Sequence, residues 1–305
     1  MPACESIDTD GDGLFRRILF LLMSTSEFAA RRAAFRKLHE SGCLVMPNPW
    51  DIGSALYLRH LGFQALATTS AGFAFSRGLP DAAWAISSDS MLGHIAEIAG
   101  AVDLPVNADF ESGYAHEPDG VATNVRFCVN TGVAGLSIED NTGDRAKPLY
   151  ELPLAVERIK AARAAIAASG TGVLLTARAE CYLVGHPEPF KESVRRLQAY
   201  AEAGADVLYA PGIHQREEIK AIVSRLAPKP VNILMSSNMG LKVADLAEIG
   251  VRRISVGSSL ARVAWTGFMR AAQMIAKEGS FNCFDGLVPF AEINNFFQDA
   301  ARRHG

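Results

Sequence analysis

Cysteine is scarce in this chain and is never paired in sequence. The 305 residues include five cysteines, an odd number, and no Cys-x-x-Cys pair occurs. Scattered single cysteines provide neither a disulfide framework nor a zinc knuckle, and they are typical of a reducing compartment. We therefore expect a cytoplasmic protein whose cysteines are mostly small buried side chains; they are Cys4, Cys43, Cys128, Cys181 and Cys283.

The chain also lacks a strong charge of either sign and any apolar run of membrane-spanning length. Lys and Arg number 30 and Asp and Glu number 33, which gives a net charge of −3. A nucleic acid or an anionic membrane is normally met by a basic face, and a transmembrane helix needs about 20 consecutive apolar residues. The expected partners therefore include no nucleic acid and no membrane.

What the chain does have is apolar content for one large core, since hydrophobic residues make up 49% of it. No Pro-, Gly- or Ser-rich linker divides it, which favours a single domain. The run Ser24-Thr25-Ser26-Glu27 is typical of a helix cap and predicts a helix that continues to His39. We expect residues 1–25 to be a disordered or extraneous segment and residues 26–305 to form one catalytic domain.

Short apolar, β-branched runs alternate with helical patterns along the chain. Because each helix must cross back over the sheet, this alternation predicts parallel strands, and eight βα units close a (β/α)₈ TIM barrel. A doubly wound open sheet is the main alternative, but no G-x-G-x-x-G follows the first run. The predicted strands are residues 44–46, 65–69, 106–109, 135–138, 173–177, 207–210, 231–235 and 253–256.

The ends of several predicted helices carry a further signal. Four of the helices end in glycine just before a strand, namely Gly62, Gly132, Gly204 and Gly250, and glycine there supplies a left-handed turn. After the eighth strand, residues 285–303 predict additional C-terminal helices. Their apolar stripe could pack on this barrel or on a neighbouring subunit; it comprises Phe290, Ile293, Phe296 and Phe297.

Polar residues follow almost every predicted strand, where the catalytic groups of such barrels lie. An acid after a strand is often only a helix N-cap, and Asp51 and Asp81 fit that simpler interpretation best. Asp109 and Glu139, by contrast, stand at the very ends of adjacent strands and would repel each other without a cation between them. Hard oxygen ligands with no nearby His or Cys favour Mg²⁺ or Mn²⁺.

Two further elements suit an anionic substrate. Arg178, one strand beyond Glu139, can neutralise a substrate anion with its planar guanidinium. Ser70-Ala71-Gly72 follows the second strand, and small residues there allow successive backbone N–H groups to cradle a carboxylate or an oxyanion.

Taken in order, these segments resemble the isocitrate lyase/phosphoenolpyruvate mutase superfamily over roughly residues 30–275. The matching segments are Asn48-Pro49-Trp50-Asp51, Thr69-Ser70-Ala71-Gly72, Gly78-Leu79-Pro80-Asp81, Asn107-Ala108-Asp109, Gly113-Tyr114, Ser137-Ile138-Glu139-Asp140, Ala177-Arg178-Ala179-Glu180 and Gly204-Ala205-Asp206.

The resemblance implies a (β/α)₈ barrel, often with a C-terminal helix swapped between the subunits of a homodimer or homotetramer. It implies Mg²⁺ held largely through water by Asp109 and Glu139, with Asp81 on a gating loop. A small 2-oxo-carboxylate or phosphonate substrate would meet the remaining candidates, which are Trp50, Asp51, Ser70, Ala71, Gly72 and Arg178. The metal would stabilise the enolate formed when the neighbouring bond breaks.

The loop after the fourth strand departs from the family pattern. The lyases carry a cysteine and a histidine there and the mutases carry Glu-Asp-Lys, whereas residues 141–148 contain neither Cys nor His, and Asn141 replaces the lysine. Whether Lys147 reaches in from farther along is left open by the spacing. One family acid is also Asn107 here, which removes a charge from the metal site.

Oxaloacetate-type decarboxylation needs neither the thiol nor the lysine and is the preferred function, with Tyr114 and Asn232 as candidates for protonating or orienting the enolate. The alternatives are phosphoenolpyruvate mutase or phosphonopyruvate hydrolase chemistry, and carbon–carbon cleavage of a (methyl)isocitrate-like acid. A carboxylate-binding barrel without turnover is the non-enzymatic alternative.

Overall fold

The computed structural model describes residues 25–302, and eight parallel strands form its centre. The strands are β1 (Leu44–Met46), β2 (Leu66–Ala67), β3 (Val106–Asp109), β4 (Gly135–Glu139), β5 (Leu174–Arg178), β6 (Val207–Tyr209), β7 (Val231–Leu234) and β8 (Arg253–Ser255). Their hydrogen-bonded order is β1-β8-β7-β6-β5-β4-β3-β2, and β2 meets the end of β1 through a hydrogen bond from Ala67 N–H to the Pro47 carbonyl, 3.0 Å long. The predicted (β/α)₈ barrel is confirmed.

Helices surround the strands in the predicted alternation. Those resolved within residues 25–302 are α1 (Thr25–Leu38), α2 (Ile52–His60), α3 (Ser70–Ser76), α4 (Ser88–Ala101), α5 (Pro118–Asn130), α6 (Leu152–Ala168), α7 (Pro189–Glu202), α8 (Arg216–Leu226), α9 (Val243–Glu248), α10 (Ser259–Glu278) and α11 (Phe290–Arg302). The four glycines predicted to end helices all have positive φ, between 86° and 101°. They provide the turn from helix to strand that the sequence indicated.

The second strand is shorter than predicted because its last residues take another role. Thr68 still donates its N–H to the Asn107 carbonyl at 2.9 Å. Thr69, however, becomes the N-cap of α3, with its hydroxyl accepting from Gly72 N–H at 3.2 Å. The chain therefore turns into a helix at the point where the strand was expected to continue.

Helix α1 covers the amino ends of the strands. Phe35 is fully buried there and packs with residues that begin several strands, among them Leu44 and Leu174. Arg32 fixes the helix by donating hydrogen bonds to the carbonyls of Val129 and Val133, both at 3.0 Å. The helix predicted to continue to His39 is observed as α1, which ends at Leu38, and predictions for residues 1–24 lie outside the described part of the chain.

The two C-terminal helices leave much apolar surface uncovered. Phe296 of α11 packs against the rings of Tyr57 and His60, with centroid separations of 5.5 and 5.3 Å. Helix α10 exposes a series of large apolar side chains, namely Val263, Trp265, Phe268 and Met269. A helix long and apolar enough to span a membrane does not occur between residues 25 and 302.

Candidate active site

A cavity of about 250 Å³ opens among the loops that follow the strands, and five of the eleven predicted site residues line it. Asp81, Asp109 and Arg178 line it, together with Ser70 and Ala71. A larger groove of about 1170 Å³ lies between α1, α2 and α11 and is lined by none of the predicted site residues. The smaller cavity is therefore the candidate active site.

The guanidinium of Arg178 forms ion pairs with three carboxylates, which come from the end of β3, the end of β4 and the loop after β5. Its Nη1 lies 2.7 Å from Asp109 Oδ1, its Nη2 lies 3.0 Å from Glu139 Oε2, and its Nε lies 2.9 Å from Glu180 Oε1. Asp109 and Glu139, which we expected to share a cation, thus contact the same guanidinium, although only Asp109 lines the cavity. The cation between them in this structure is a guanidinium.

Negative charge exceeds positive charge in this cluster. Burial raises the pKa of Glu139 well above its usual value, and the nearby charges of Glu180 and Asp109 raise it further, whereas Arg178 opposes the shift. Burial and the charge of Asp109 likewise raise the pKa of Asp81. The acids that influence one another here are Asp81, Asp109, Glu111, Glu139 and Glu180.

This donor set fits a hydrated Mg²⁺. Within residues 25–302 no group of three or more His, Cys, Asp or Glu side chains is arranged to enclose a metal ion. Mg²⁺ does not require such an enclosure, because it keeps several waters and is commonly held by one or two carboxylates plus its substrate. Asp109 and Glu139 are the residues that could hold it, and an added cation would reduce the repulsion among the acids.

Two of the backbone N–H groups after β2 already donate hydrogen bonds within the protein. Ser70 donates both its N–H and its hydroxyl to Asp109 Oδ2, at 3.0 and 2.9 Å. Gly72 N–H is taken by the Thr69 hydroxyl. Of the three predicted cradle residues, Ser70 and Ala71 line the cavity and Gly72 does not. The segment therefore orients Asp109 as well as presenting small residues to the cavity.

A buried network behind the cluster fixes Glu180. Asp140 accepts hydrogen bonds from Glu180 N–H at 2.9 Å, from the Tyr200 hydroxyl at 2.6 Å and from Arg196 Nη1 at 3.1 Å. Glu180 in turn holds Arg178 through Nε. Arg178 is therefore held in place by Asp140, which follows β4, and by Arg196 and Tyr200 of α7, none of which lines the cavity.

Trp50 and Asp51 do not line the cavity. Asp51 is the N-cap of α2, and its Oδ1 accepts from Ser54 N–H at 2.7 Å in a capping box. This placement does not support the expected substrate contact and agrees with the simpler helix-cap interpretation. Asp81 was open to the same interpretation, yet it lies on the cavity wall.

Tyr114 and Asn232 are also absent from the cavity wall. Tyr114 and Glu111 both adopt positive φ, 54° and 44°, and this turn directs the Tyr114 hydroxyl onto Glu111 Oε1 at 2.7 Å. Asn232 is fully buried and receives a hydrogen bond from Arg253 Nε at 2.8 Å. The geometry does not support direct contact of either side chain with an enolate.

The sequence-based reasoning missed two arginines of the cavity wall, Arg253 on β8 and Arg262 on α10. For Arg253 a signal was present, because residues two apart on a strand share a face. That spacing puts Arg253 on the same side of β8 as Ser255, which also lines the cavity. A charged residue at this position of an apolar strand therefore indicates a side chain in the barrel interior. Arg262 had no comparable signal, since it lies on a long amphipathic helix.

The loop after β4 contributes no acid–base group to the cavity. Lys147 is exposed and does not line it. His186 and His214, on the loops after β5 and β6, do not line it either. Among the described cysteines none is on the cavity wall, and burial raises the pKa of Cys181 to about 12. No thiolate is thus available there at neutral pH.

The fold and the acid–arginine cluster define a barrel enzyme scaffold with its site at the carboxyl ends of the strands. The chain belongs to the isocitrate lyase/phosphoenolpyruvate mutase superfamily: the family model described as phosphoenolpyruvate phosphomutase matches residues 35–276. This superfamily consists of Mg²⁺-dependent lyases and mutases.

Individual relatives span this range of activities. An uncharacterized protein of Mycobacterium tuberculosis is 33% identical over 276 residues, which cover 88% of this chain and 98% of the relative. The oxaloacetate decarboxylase of Pseudomonas entomophila is 28% identical over 74% of this chain and 78% of its own length. A solved structure of oxaloacetate acetylhydrolase with its product oxalate is 27% identical, covers 90% of this chain and 97% of that one, and has a TM-score of 0.78.

Proposed function

We propose that this protein is a Mg²⁺-dependent lyase that decarboxylates oxaloacetate or a closely similar 2-oxo diacid. The observation that carries the proposal is that Asp109 and Glu139 both bind the guanidinium of Arg178, and that Asp109 and Arg178 line the cavity. A site that holds a cation between two carboxylates beside an anion-binding arginine suits a small 2-oxo-carboxylate.

Some residues of the site orient the acids, and others supply charge to the substrate. Ser70 holds Asp109 in place with two hydrogen bonds. Arg178, braced by Glu180, is positioned to exchange part of its pairing with Asp109 for pairing with a substrate carboxylate. A bound Mg²⁺ would supply Lewis-acid stabilisation of the negative charge that develops at the substrate carbonyl.

Decarboxylation is favoured because it requires the least from the loop after β4. The carbon–carbon bond to the distal carboxylate breaks, CO₂ leaves, and the electron pair moves toward the carbonyl oxygen. No protein thiol or lysine takes part in that step. This agrees with the exposed position of Lys147 and with the raised pKa of the buried Cys181. The oxaloacetate decarboxylase among the relatives supports the same choice.

A homodimer or homotetramer is the proposed assembly. Its support is the exposed apolar series on α10, in which Val263 is 69% and Phe268 is 62% exposed. Exposed apolar patches of this kind usually mark protein interfaces. Exchange of α11 between subunits remains part of this proposal.

The test is turnover of oxaloacetate by the full chain with Mg²⁺, followed as CO₂ release. We expect activity that EDTA removes and Mg²⁺ or Mn²⁺ restores, and that Asp109→Ala abolishes. Asp103→Ala, which removes a surface carboxylate paired with Arg59, is the matched control and should leave activity unchanged.

Two other results would reassign the site. Phosphate release from phosphonopyruvate without CO₂ release from oxaloacetate would identify phosphorus–carbon chemistry. Metal-dependent binding of oxalate without turnover of any 2-oxo acid would identify a carboxylate-binding protein. Cleavage of methylisocitrate would require an acid–base group other than the missing cysteine.

A further inference from the structure

Arg253 is a buried arginine with no anionic partner. It begins β8, is only 2% exposed, and lines the same cavity as Asp109 and Arg178. Its Nε donates to Asn232 Oδ1 at 2.8 Å. Among the residues that the structure describes, none accepts a hydrogen bond from its Nη1, and no carboxylate forms an ion pair with it.

The other well-buried arginines show how unusual this is. Arg178 and Arg196 pair with carboxylates, while Arg32 and Arg158 donate to backbone carbonyls that close them off. Buried charges are generally paired, because removing a charge from water is unfavourable unless other groups replace the water. Arg158 also leaves its Nε without a described acceptor, but both of its terminal nitrogens donate to backbone carbonyls, whereas the terminal Nη1 of Arg253 has no described acceptor.

Arg253 is nevertheless charged and oriented. Burial lowers its pKa to about 10, with Tyr209 acting in the opposite direction, so the guanidinium stays protonated at neutral pH. Asn232 holds the side chain, and Asn232 itself is fixed by donating to the Ser255 hydroxyl at 2.9 Å. Fixed position, positive charge and a free donor together describe half of an anion-binding site.

We propose that Arg253, positioned by Asn232, is the residue that binds the distal oxyanion of the substrate and selects for it. This rests on the proposed function, which places the 2-oxo-carboxylate end at Asp109, Glu139 and Arg178. Those residues end their strands, whereas Arg253 begins β8 and lies nearer the amino end of the barrel. A ligand that reaches from one to the other carries its two anions at opposite ends of the cavity.

The shared chemistry of that distal group is an oxyanion, either a carboxylate or a tetrahedral phosphonate. Two matched pairs of stable ligands distinguish a distal carboxylate from a tetrahedral oxyanion. Malate and lactate differ by a distal carboxylate, while 3-sulfopyruvate and pyruvate differ by a tetrahedral oxyanion that cannot leave as phosphate. Binding of all four is measured by calorimetry to the full chain with Mg²⁺, with oxalate as a ligand that engages only the metal end.

We expect at least a tenfold tighter Kd for the ligand with the distal anion in at least one pair. Arg253→Met, which keeps an unbranched side chain and removes the charge, should reduce that ratio to about one and leave oxalate binding within twofold. Arg252→Met is the matched control: Arg252 is exposed and donates to the Gly42 carbonyl, and its removal should leave the ratios unchanged. The pair with the larger ratio identifies the distal group.

The melting temperature is a second measurement. A purely structural role for Arg253 predicts the opposite change in it. Without ligand, Arg253→Met should melt at the same temperature as the wild type or higher, because an uncompensated buried charge has been removed. A lower melting temperature together with unchanged ligand ratios would overturn the proposal and assign Arg253 to packing.

The failures are distinguishable. If oxalate does not bind the wild type with Mg²⁺, the proposed function fails. If oxalate binds but neither pair shows a distal-anion preference, only the role of Arg253 fails. If Arg253→Met does not fold, Arg253→Lys replaces it. Kd ratios near one for the wild type then contradict the proposal. A tenfold ratio in the wild type that Arg253→Lys reduces supports it.

Discussion

Replacing Arg178 with Met should strongly destabilise the ligand-free protein. The guanidinium is 14% exposed and binds three carboxylates that are 18%, 15% and 3% exposed. Removing one partner of a single buried ion pair costs about 3–5 kcal/mol. Because three acids lose their counter-charge together, we expect a loss in the upper part of that range, about 4–5 kcal/mol at pH 8.

Protonation limits this loss and provides a test of its cause. In Arg178→Met, a carboxyl group whose folded-state pKa is raised binds its proton more readily folded than unfolded, so the variant gains stability as the pH falls. Each pH unit over which a folded-state carboxyl holds a proton that the unfolded state lacks is worth about 1.36 kcal/mol, so lowering the pH from 8 to 6 recovers at most about 2.7 kcal/mol per carboxyl. The wild type should show a smaller recovery, because Arg178 opposes the rise of these pKa values.

Urea denaturation at pH 8 and pH 6, with and without Mg²⁺, measures both effects. Mg²⁺ should stabilise Arg178→Met more than the wild type, since the freed acids offer it a stronger site. Arg195→Met removes an exposed arginine paired with Glu192 on α7 and should change stability by less than about 1 kcal/mol. A loss below about 1 kcal/mol for Arg178→Met, without pH dependence, would refute the charge-balance reasoning.

Three further predictions concern other parts of the site and core. Asp109→Ala should abolish Mg²⁺-dependent turnover while circular dichroism and the melting curve remain those of a folded barrel; retained activity would remove Asp109 from the site. Tyr200→Phe deletes the 2.6 Å hydrogen bond to the buried Asp140 and should cost about 1.5–3 kcal/mol in urea unfolding, a result that an unchanged midpoint would contradict. Burial lowers the pKa of His94 to about 4, which is below its unfolded value, so its contribution to stability is present above pH 6.5 and is lost as the pH falls toward 4. Between pH 7 and pH 5 this amounts to about 2 kcal/mol, and His94→Phe, measured by thermal melts at both pH values, should lose that much less; identical pH profiles would disprove it.

The fold was predictable because its signals are local and repeated. Glycines such as Gly132 and Gly204 needed positive φ to end helices before strands, and they have it. The site residues at strand ends were predictable because the carboxyl ends of parallel strands meet at one end of a barrel. For Asp109 and Arg178 that was enough to bring them to one cavity, since both stand at strand ends.

The side-chain contacts were less predictable because they depend on backbone turns and on competing partners. Tyr114 was expected at the substrate, but the positive φ of Glu111 and Tyr114 folds the loop back and pairs the two side chains. Asn232 was expected to meet an enolate, but Arg253 takes its amide oxygen. In both cases the missing information was a neighbouring polar group, which strand spacing alone does not reveal.

The burial of Phe35 bears on where substrate can enter the barrel and where product can leave it. Helix α1 seals the amino end of the barrel, with Phe35 fully buried against residues of the first strands and Arg32 tied to two carbonyls beside it. Within residues 25–302, α1 thus covers the amino end of the barrel, and the cavity opens among the loops at the other end. We therefore expect substrate and product to pass by Asp81, so that a product must leave before the next substrate can bind.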